Sequence, residues 1–459
     1  MKDRMKEFQA FREEYPELIY ENGRYKLYDN RLEIVYDFRI PGLAEFHPTW
    51  TIARSGGAEI DKAKLDELVF SLGMVELVSY WKAACPPRVR VLKRSLAEEQ
   101  IQWWKKLYFN GLGEFFYTNH IQTGDDFMEI ICADGAEPTR KPQAVPTPNR
   151  DLPRVLIPVG GGKDSAVTIE LLKDAAERTC YIINPRQATR DTVKTAGLED
   201  STIIARRTID PALLELNRRG FLNGHTPFSA VVAFSSVLAA YLNGLDDVAL
   251  SNESSANEST VAGSAVNHQY SKSFEFEWDF IEYERAYIGT GVHYFSLLRP
   301  LSELQIARLF SGLKQYHPVF RSCNAGSKTD TWCGSCPKCL FVAIILSPFL
   351  TEQELTAIFQ KNMLDDWNRK EDFDKLTGLL PEKPFECVGS RDEVHAALQM
   401  TLDRRRKAGE PLPALLRYYA EKFSDGRETV DYDARFDEEH ALPSRFVPLM
   451  KRAAGVRED

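Results

Sequence analysis

Cysteine is scarce in this chain: eight residues in 459, too few for a disulfide scaffold. Positive charge is in deficit as well. A formal net charge of −9 argues against a protein whose main task is gripping a nucleic-acid backbone, so no nucleic-acid partner is expected. No long apolar run is free of polar residues. The most hydrophobic stretch, 227–245, contains Ser229, Ser235, Ser236 and Asn243, and reads as a buried helix rather than a membrane span. The opening residues Met1-Lys2-Asp3-Arg4-Met5-Lys6 lack the apolar segment of a secretory signal. These absences predict a cytoplasmic protein with no membrane partner. Internal repeats and low-complexity tracts are also missing, and nothing indicates how many subunits assemble.

What is present is a globular composition, 43% hydrophobic and 27% charged, in a chain long enough for two or three domains. Pro138, Pro142, Pro146, Pro148 and Pro153 stiffen the stretch 133–153, which makes it the best boundary. Before it, Leu32, Ile34, Tyr36, Phe38 and Ile40 alternate with polar residues at strand period. Tyr25-Lys26-Leu27-Tyr28, joined through Asp29-Asn30, predicts a hairpin with that strand. Leu65, Leu68, Val69 and Leu72 have helical spacing, so residues 1–150 are expected to form an α+β domain. After the connector, apolar runs at 154–159, 180–183, 248–250 and 294–298 alternate with helical patterns. That order predicts an α/β region, 151–350, with a parallel sheet covered by helices on both faces. Residues 351–459 read as mostly helical, with capping boxes at Thr351/Glu354 and Ser390/Glu393.

The first of those apolar runs ends in Gly160-Gly161-Gly162-Lys163-Asp164-Ser165. Three glycines between a buried strand and a helix let backbone amides approach an anion, and the helix N-terminus adds partial positive charge. The spacing excludes two commoner loops. A Walker loop needs glycine where Ile157 stands and Ser or Thr where Asp164 follows the lysine; a dinucleotide fingerprint needs glycine in place of Ser165. Lys163 and Asp164 are expected in a surface turn over the phosphates.

A second polar segment, Ser251-Asn252-Glu253-Ser254-Ser255-Ala256-Asn257-Glu258, directly follows the third run, where ligands gather in open α/β sheets. A solvated loop is the alternative. Shortly after, His268 and Lys272 offer titratable groups, either structural or acid–base. Cys323, Cys333, Cys336 and Cys339 fall within 17 residues. Two-residue gaps in Cys-Gly-Ser-Cys-Pro-Lys-Cys suit two thiolates on one tetrahedral ion. A metal-free cluster and catalytic cysteines are the other readings. Cys85, Cys132, Cys180 and Cys387 are isolated and read as small core residues. Trp103, Trp104, Tyr108 and Phe109 either pack a core or stack on an aromatic ligand, and core packing is the commoner role.

The glycine loop resembles that of the N-type (PP-loop) ATP pyrophosphatases, Ser-Gly-Gly-x-Asp-Ser. Gly161, Gly162, Asp164 and Ser165 match, while Gly160 replaces the leading serine and removes one hydroxyl donor. The resemblance implies a doubly wound parallel sheet, cleavage of ATP to AMP and pyrophosphate, and magnesium held with the help of Asp164. Arg299-Pro300-Leu301-Ser302-Glu303-Leu304 lies where such enzymes carry a Pro-Leu turn opening a helix, and Ser302 with Gln305 suits a capping box. A similar four-cysteine arrangement binds zinc in the deazaguanine-forming synthases of that superfamily, so the resemblance implies a structural zinc here.

Across nearly the full chain the features resemble the bacterial UDP-N-acetylmuramoyl-L-alanyl-L-glutamate epimerases. The matching stretches are 159–165, 251–258, 268–272, 333–339 and Pro384-Phe385-Glu386-Cys387-Val388-Gly389. This resemblance implies a nucleotide-sugar dipeptide substrate, ATP binding by Gly160 to Ser165 with Ser251, Asn252 and Glu253, and His268 and Lys272 as acid–base candidates. Two rivals remain at this stage. One is another ATP pyrophosphatase forming an amide, nitrile or thiolated nucleobase; the other is a non-catalytic nucleotide-binding protein with a zinc knuckle.

Overall fold

The computed structural model describes residues 4–456 apart from 134, 136, 139–149, 258–269, 327–328, 385, 387, 424–429 and 431. Its strands are β1 (Glu17–Leu27), β2 (Arg31–Ile40), β3 (Ala44–Phe46), β4 (Thr49–Ala53), β5 (Arg88–Val91), β6 (Arg94–Ser95) and β7 (Glu129–Cys132). They continue as β8 (Glu137–Pro138), β9 (Arg154–Pro158), β10 (Glu177–Ile183), β11 (Thr202–Arg207), β12 (Asp247–Leu250) and β13 (His293–Ser296). All but β6 and β8 belong to one mixed sheet, in the order β13-β12-β9-β10-β11-β4-β2-β1-β5-β7, with β3 beside β2.

The hairpin forms as the sequence reads. Leu27 pairs with Leu32 across the turn, and the Tyr28 amide donates to the Arg31 carbonyl at 2.8 Å. Strand β2 buries every second residue, so one face meets a core and the other stays half-exposed. In contrast β12 is buried at all four positions, as expected for a parallel strand covered on both faces.

Strands β13, β12, β9, β10 and β11 are mutually parallel. Successive residues of β9 enter different cores. Val155 and Ile157 join Val167 and Ile169 of the helix Lys163–Leu171, while Leu156 joins Leu238 of the helix Phe228–Leu242. Helices therefore cover both faces of this part of the sheet. The chain runs from β9 outward to β10 and β11, then returns to β12 and β13 on the opposite side of β9. The strand order reverses between β9 and β12, the position at which open parallel sheets bind ligands, at the strand carboxyl ends.

Strands β4 and β11 pair antiparallel, Ile52 opposite Ala205, so strands from either side of residue 150 share the sheet. Beyond residue 351 the described residues add helices but no strand to it. Thr351 and Ser390 cap their helices with reciprocal bonds to Glu354 and Glu393, as their spacing predicts. Trp104 and Tyr108 are fully buried against each other, with Trp104 also packed on Phe234 and Tyr283, so this pair is core. Among the described residues no helix is long and apolar enough to cross a membrane.

Candidate active site

The glycine loop leaves β9 at the point where the strand order reverses. Gly161 has φ +85°, and a Cβ there would stand 3.0 Å from the Ala188 Cβ and 3.2 Å from the Thr189 nitrogen. Only glycine permits that backbone conformation and close approach without strain. Its carbonyl accepts a 2.7 Å bond from the Arg321 amide. Gly160 is different: an added Cβ would meet nothing within 4 Å. Gly162 caps the helix Lys163–Leu171 with no side-chain partner, which leaves the first-turn amides available to an anion. The Ser165 hydroxyl donates to the Gly162 carbonyl at 3.1 Å and closes the turn.

The lysine of this loop is not at the surface. Lys163 is 4% exposed, and its ammonium bonds to both Asp164 and Glu303, which corrects the expectation of an exposed turn. Glu303 opens the helix Glu303–Ser311 behind Ser302 and is itself buried, so the lysine follows its partner inward. Burial alone would lower the Lys163 pKa, but the two carboxylates outweigh it and hold the ammonium above the usual lysine range. Burial would raise Asp164, yet Lys163, with Lys338 and Lys272 nearby, brings it below the usual carboxylate value. Glu303 goes the other way. Burial, with the negative charges of Asp164 and Glu253, pushes it up to about 7 despite Lys163. Its backbone amide donates to Glu393 at 2.7 Å, and burial followed by the Glu303 charge raises Glu393 to about 6. Loop, β12 and the helical C-terminal region therefore meet in one cluster of lysines and carboxylates.

A buried arginine fixes the polar segment after β12. Arg299, fully buried, bonds to the Glu277 carboxylate at 2.8 Å, the Glu253 carbonyl at 2.7 Å and the Lys272 carbonyl at 2.5 Å. It thereby holds together the two ends of the segment that begins after β12. Asn252 donates to the Ser296 hydroxyl at 3.0 Å, and Ser251 shares a 2.8 Å hydrogen bond with Thr168 of the loop helix. Ser251 thus touches the helix that follows the glycine loop, and Lys272 and Glu253 are charged neighbours of Asp164 and Glu303, respectively. His268 and Glu258 lie outside the described residues.

All four cysteine sulfurs of 323–339 lie within 4.8 Å of one another. Three of the Sγ–Sγ separations are 3.6 Å (Cys323–Cys336), 3.7 Å (Cys333–Cys339) and 3.5 Å (Cys336–Cys339). A zinc–sulfur length of about 2.3 Å sets tetrahedral edges of roughly 3.8 Å, so the donor set fits zinc. Gly334, at φ +61°, makes the knuckle turn, and the Gly326 amide donates to Cys323 at 3.2 Å. Of the isolated cysteines, Cys85 and Cys180 are buried.

Residue type and spacing mark Glu393 only as a capping residue and do not indicate Glu303, Arg299 or Lys338 as site residues. Their signals exist but are indirect: a glutamate opening a capped helix after a Pro-Leu turn, and a lysine set between two thiolates.

A parallel sheet that reverses its order beside a glycine loop at a helix N-terminus, with buried lysines beside carboxylates, defines an α/β protein with a candidate anion site at that point. Residues 9–297 match the MurL N-terminal domain and residues 319–430 the MurL C-terminal domain. UDP-N-acetyl-alpha-D-muramoyl-L-alanyl-L-glutamate epimerase of Xanthomonas oryzae pv. oryzae is 37% identical over 386 residues, covering 82% of this chain and 81% of the relative. The protein of the same name from Micromonospora sp. is 36% identical over 357 residues, 76% of this chain and 78% of its own. That from Salinispora tropica is 37% identical over 349 residues, 73% of this chain and 74% of its own. No solved structure matches. The chain belongs to the UDP-N-acetylmuramoyl-L-alanyl-L-glutamate epimerase (MurL) family of enzymes.

Proposed function

We propose that this protein inverts the terminal L-glutamate of UDP-N-acetylmuramoyl-L-alanyl-L-glutamate to D-glutamate, through a carboxyl-adenylate and with release of AMP and pyrophosphate. A glutamate α-proton is hard to remove because the carbanion forms beside an existing carboxylate. Adenylation turns that carboxylate into a mixed anhydride whose carbonyl accepts the charge. A base on one face and an acid on the other then invert the centre. Hydrolysis of the adenylate releases AMP, which explains why an isomerase carries a phosphate loop.

In this reading the parallel strands are of the doubly wound PP-loop ATP pyrophosphatase type. Gly160 to Ser165 hold the triphosphate with Ser251, Asn252 and Glu253 of the segment that follows the adjacent strand β12. Asp164 holds magnesium, which neutralises phosphate charge when bound. His268 and Lys272 are the acid–base pair, and Cys323, Cys333, Cys336 and Cys339 hold zinc, which fixes the knuckle. The division at 150 and 350 is one of labour: substrate recognition before the loop, activation in 151–350, and support of the Lys163 cluster from the helical region through Glu393. The observation that carries the ATP step is the buried Lys163–Glu303 pair, with the partly exposed Asp164 on the same lysine, at a helix N-terminus beside the reversal point. A nucleotide assay tests it. With substrate and magnesium the spent nucleotide should be AMP, and chromatography showing ADP would refute the activation chemistry.

A further inference from the structure

The cysteine knuckle and the glycine loop are connected by contact at one place and by charge at another. Arg321 donates its amide to Gly161, and a Cβ on Gly162 would stand 3.4 Å from the Ser322 Cβ; the first cysteine, Cys323, follows directly. The second connection is Lys338, between Cys336 and Cys339. Cys336 occupies the cap of the helix Pro337–Leu346, which places Lys338 in its first turn. Lysine disfavours the first turn of a helix, where the dipole is positive, and it disfavours burial. Lys338 has both, at 9% exposure. Its ammonium lies 5.4 Å from the Phe341 ring centroid. That ring and the Glu303 stem converge on Gly389, whose added Cβ would stand 3.1 Å from Phe341 Cζ and 3.0 Å from Glu303 Cγ. Lys338 is also a charged neighbour of both Asp164 and Glu303. A cation tolerated there needs anionic company, and an incoming triphosphate supplies more of it.

We propose that the metal knuckle belongs to the nucleotide site, with Cys336 and Cys339 holding Lys338 as a second lysine, beside Lys163, that contacts the phosphates of a nucleoside triphosphate. The inference rests on the ATP reading of the glycine loop and deepens it. The four cysteines would hold the metal, and Cys336 and Cys339 would thereby set the position of the Lys338 backbone relative to the loop, so the knuckle does more than close a fold.

The test compares Lys338→Ala and Lys338→Arg with the native protein, using a non-hydrolysable ATP analogue with magnesium in titration calorimetry and metal content by elemental analysis. All four thiolates remain in both variants. Lys338→Ala should keep the native metal content while binding the analogue at least about tenfold more weakly, and Lys338→Arg should recover most of that loss. Unchanged affinity in Lys338→Ala would overturn the proposal. So would a loss of affinity that comes with loss of metal, since Lys338 would then serve the knuckle alone. If the native protein itself fails to bind the analogue, it is the ATP reading that fails.

Discussion

Replacing Lys163 by Met should destabilise the protein in a way that grows with pH, and the buried cluster sets both sign and size. Lys163 and Glu303 are 4% and 2% exposed, so neither charge has water as an alternative partner. The Glu303 carboxyl stands at about 7 against an ordinary 4.5. A raised carboxyl contributes stability that is fully present below pH 4.5 and lost as pH rises through about 7. The full loss is on the order of 3 kcal/mol, from about 1.4 kcal/mol per unit. At pH 5.5 Glu303 is protonated with or without Lys163, so the variant should lose only roughly 1 kcal/mol from packing and the Asp164 contact. At pH 8.5 the native protein ionises Glu303 against the lysine, whereas the variant must keep its proton or bury a bare charge. The difference should then reach roughly 3 kcal/mol, within the usual range for a broken buried pair. Urea unfolding at the two pH values measures it. Adding Glu303→Gln should flatten the dependence. A loss that is the same at both pH values, or below about 1 kcal/mol at pH 8.5, would refute the electrostatic account.

Other expectations follow from the same geometry. Gly161→Ala meets Ala188 at 3.0 Å with φ +85°, so nucleotide binding measured by calorimetry should fall by more than about tenfold, while Gly160→Ala, open on all sides, should bind nearly as the native protein. Purified protein should carry about one zinc per chain by elemental analysis, and Cys336→Ser should lower both zinc content and melting temperature. Trp104→Ala, deep in the Phe234–Tyr283 cluster, should cost roughly 3–5 kcal/mol in chemical unfolding without changing nucleotide affinity.

Local patterns carried much of this in advance. Strand period exposed β2, capping boxes marked the helices at Thr351, Ser390 and Ser302, and three glycines before Lys163 marked the loop. Those signals are short-range, and each depends on residues within a few positions. What the sequence hid depends on pairings between distant segments. Nothing local indicates that β4 and β11 lie side by side, because antiparallel strands as far apart in sequence as Ile52 and Ala205 carry no mark of their partner. Lys163 read as exposed because loop lysines usually are, and its burial is decided by Glu303, 140 positions along the chain. Arg299 read as part of a turn, while its role as a clamp on the Glu253 and Lys272 carbonyls exists only in three dimensions.

Proton exchange at the glutamate α-carbon tests the central claim most directly. The enzyme, UDP-N-acetylmuramoyl-L-alanyl-L-glutamate, ATP and magnesium are incubated in deuterium oxide, and the product is read by mass spectrometry and chiral analysis of its glutamate. Inversion through an activated carboxylate predicts D-glutamate carrying deuterium at that carbon, and neither exchange nor inversion when ATP is left out. Deuterium incorporation without ATP, or inverted product that retains its original hydrogen, would contradict the account.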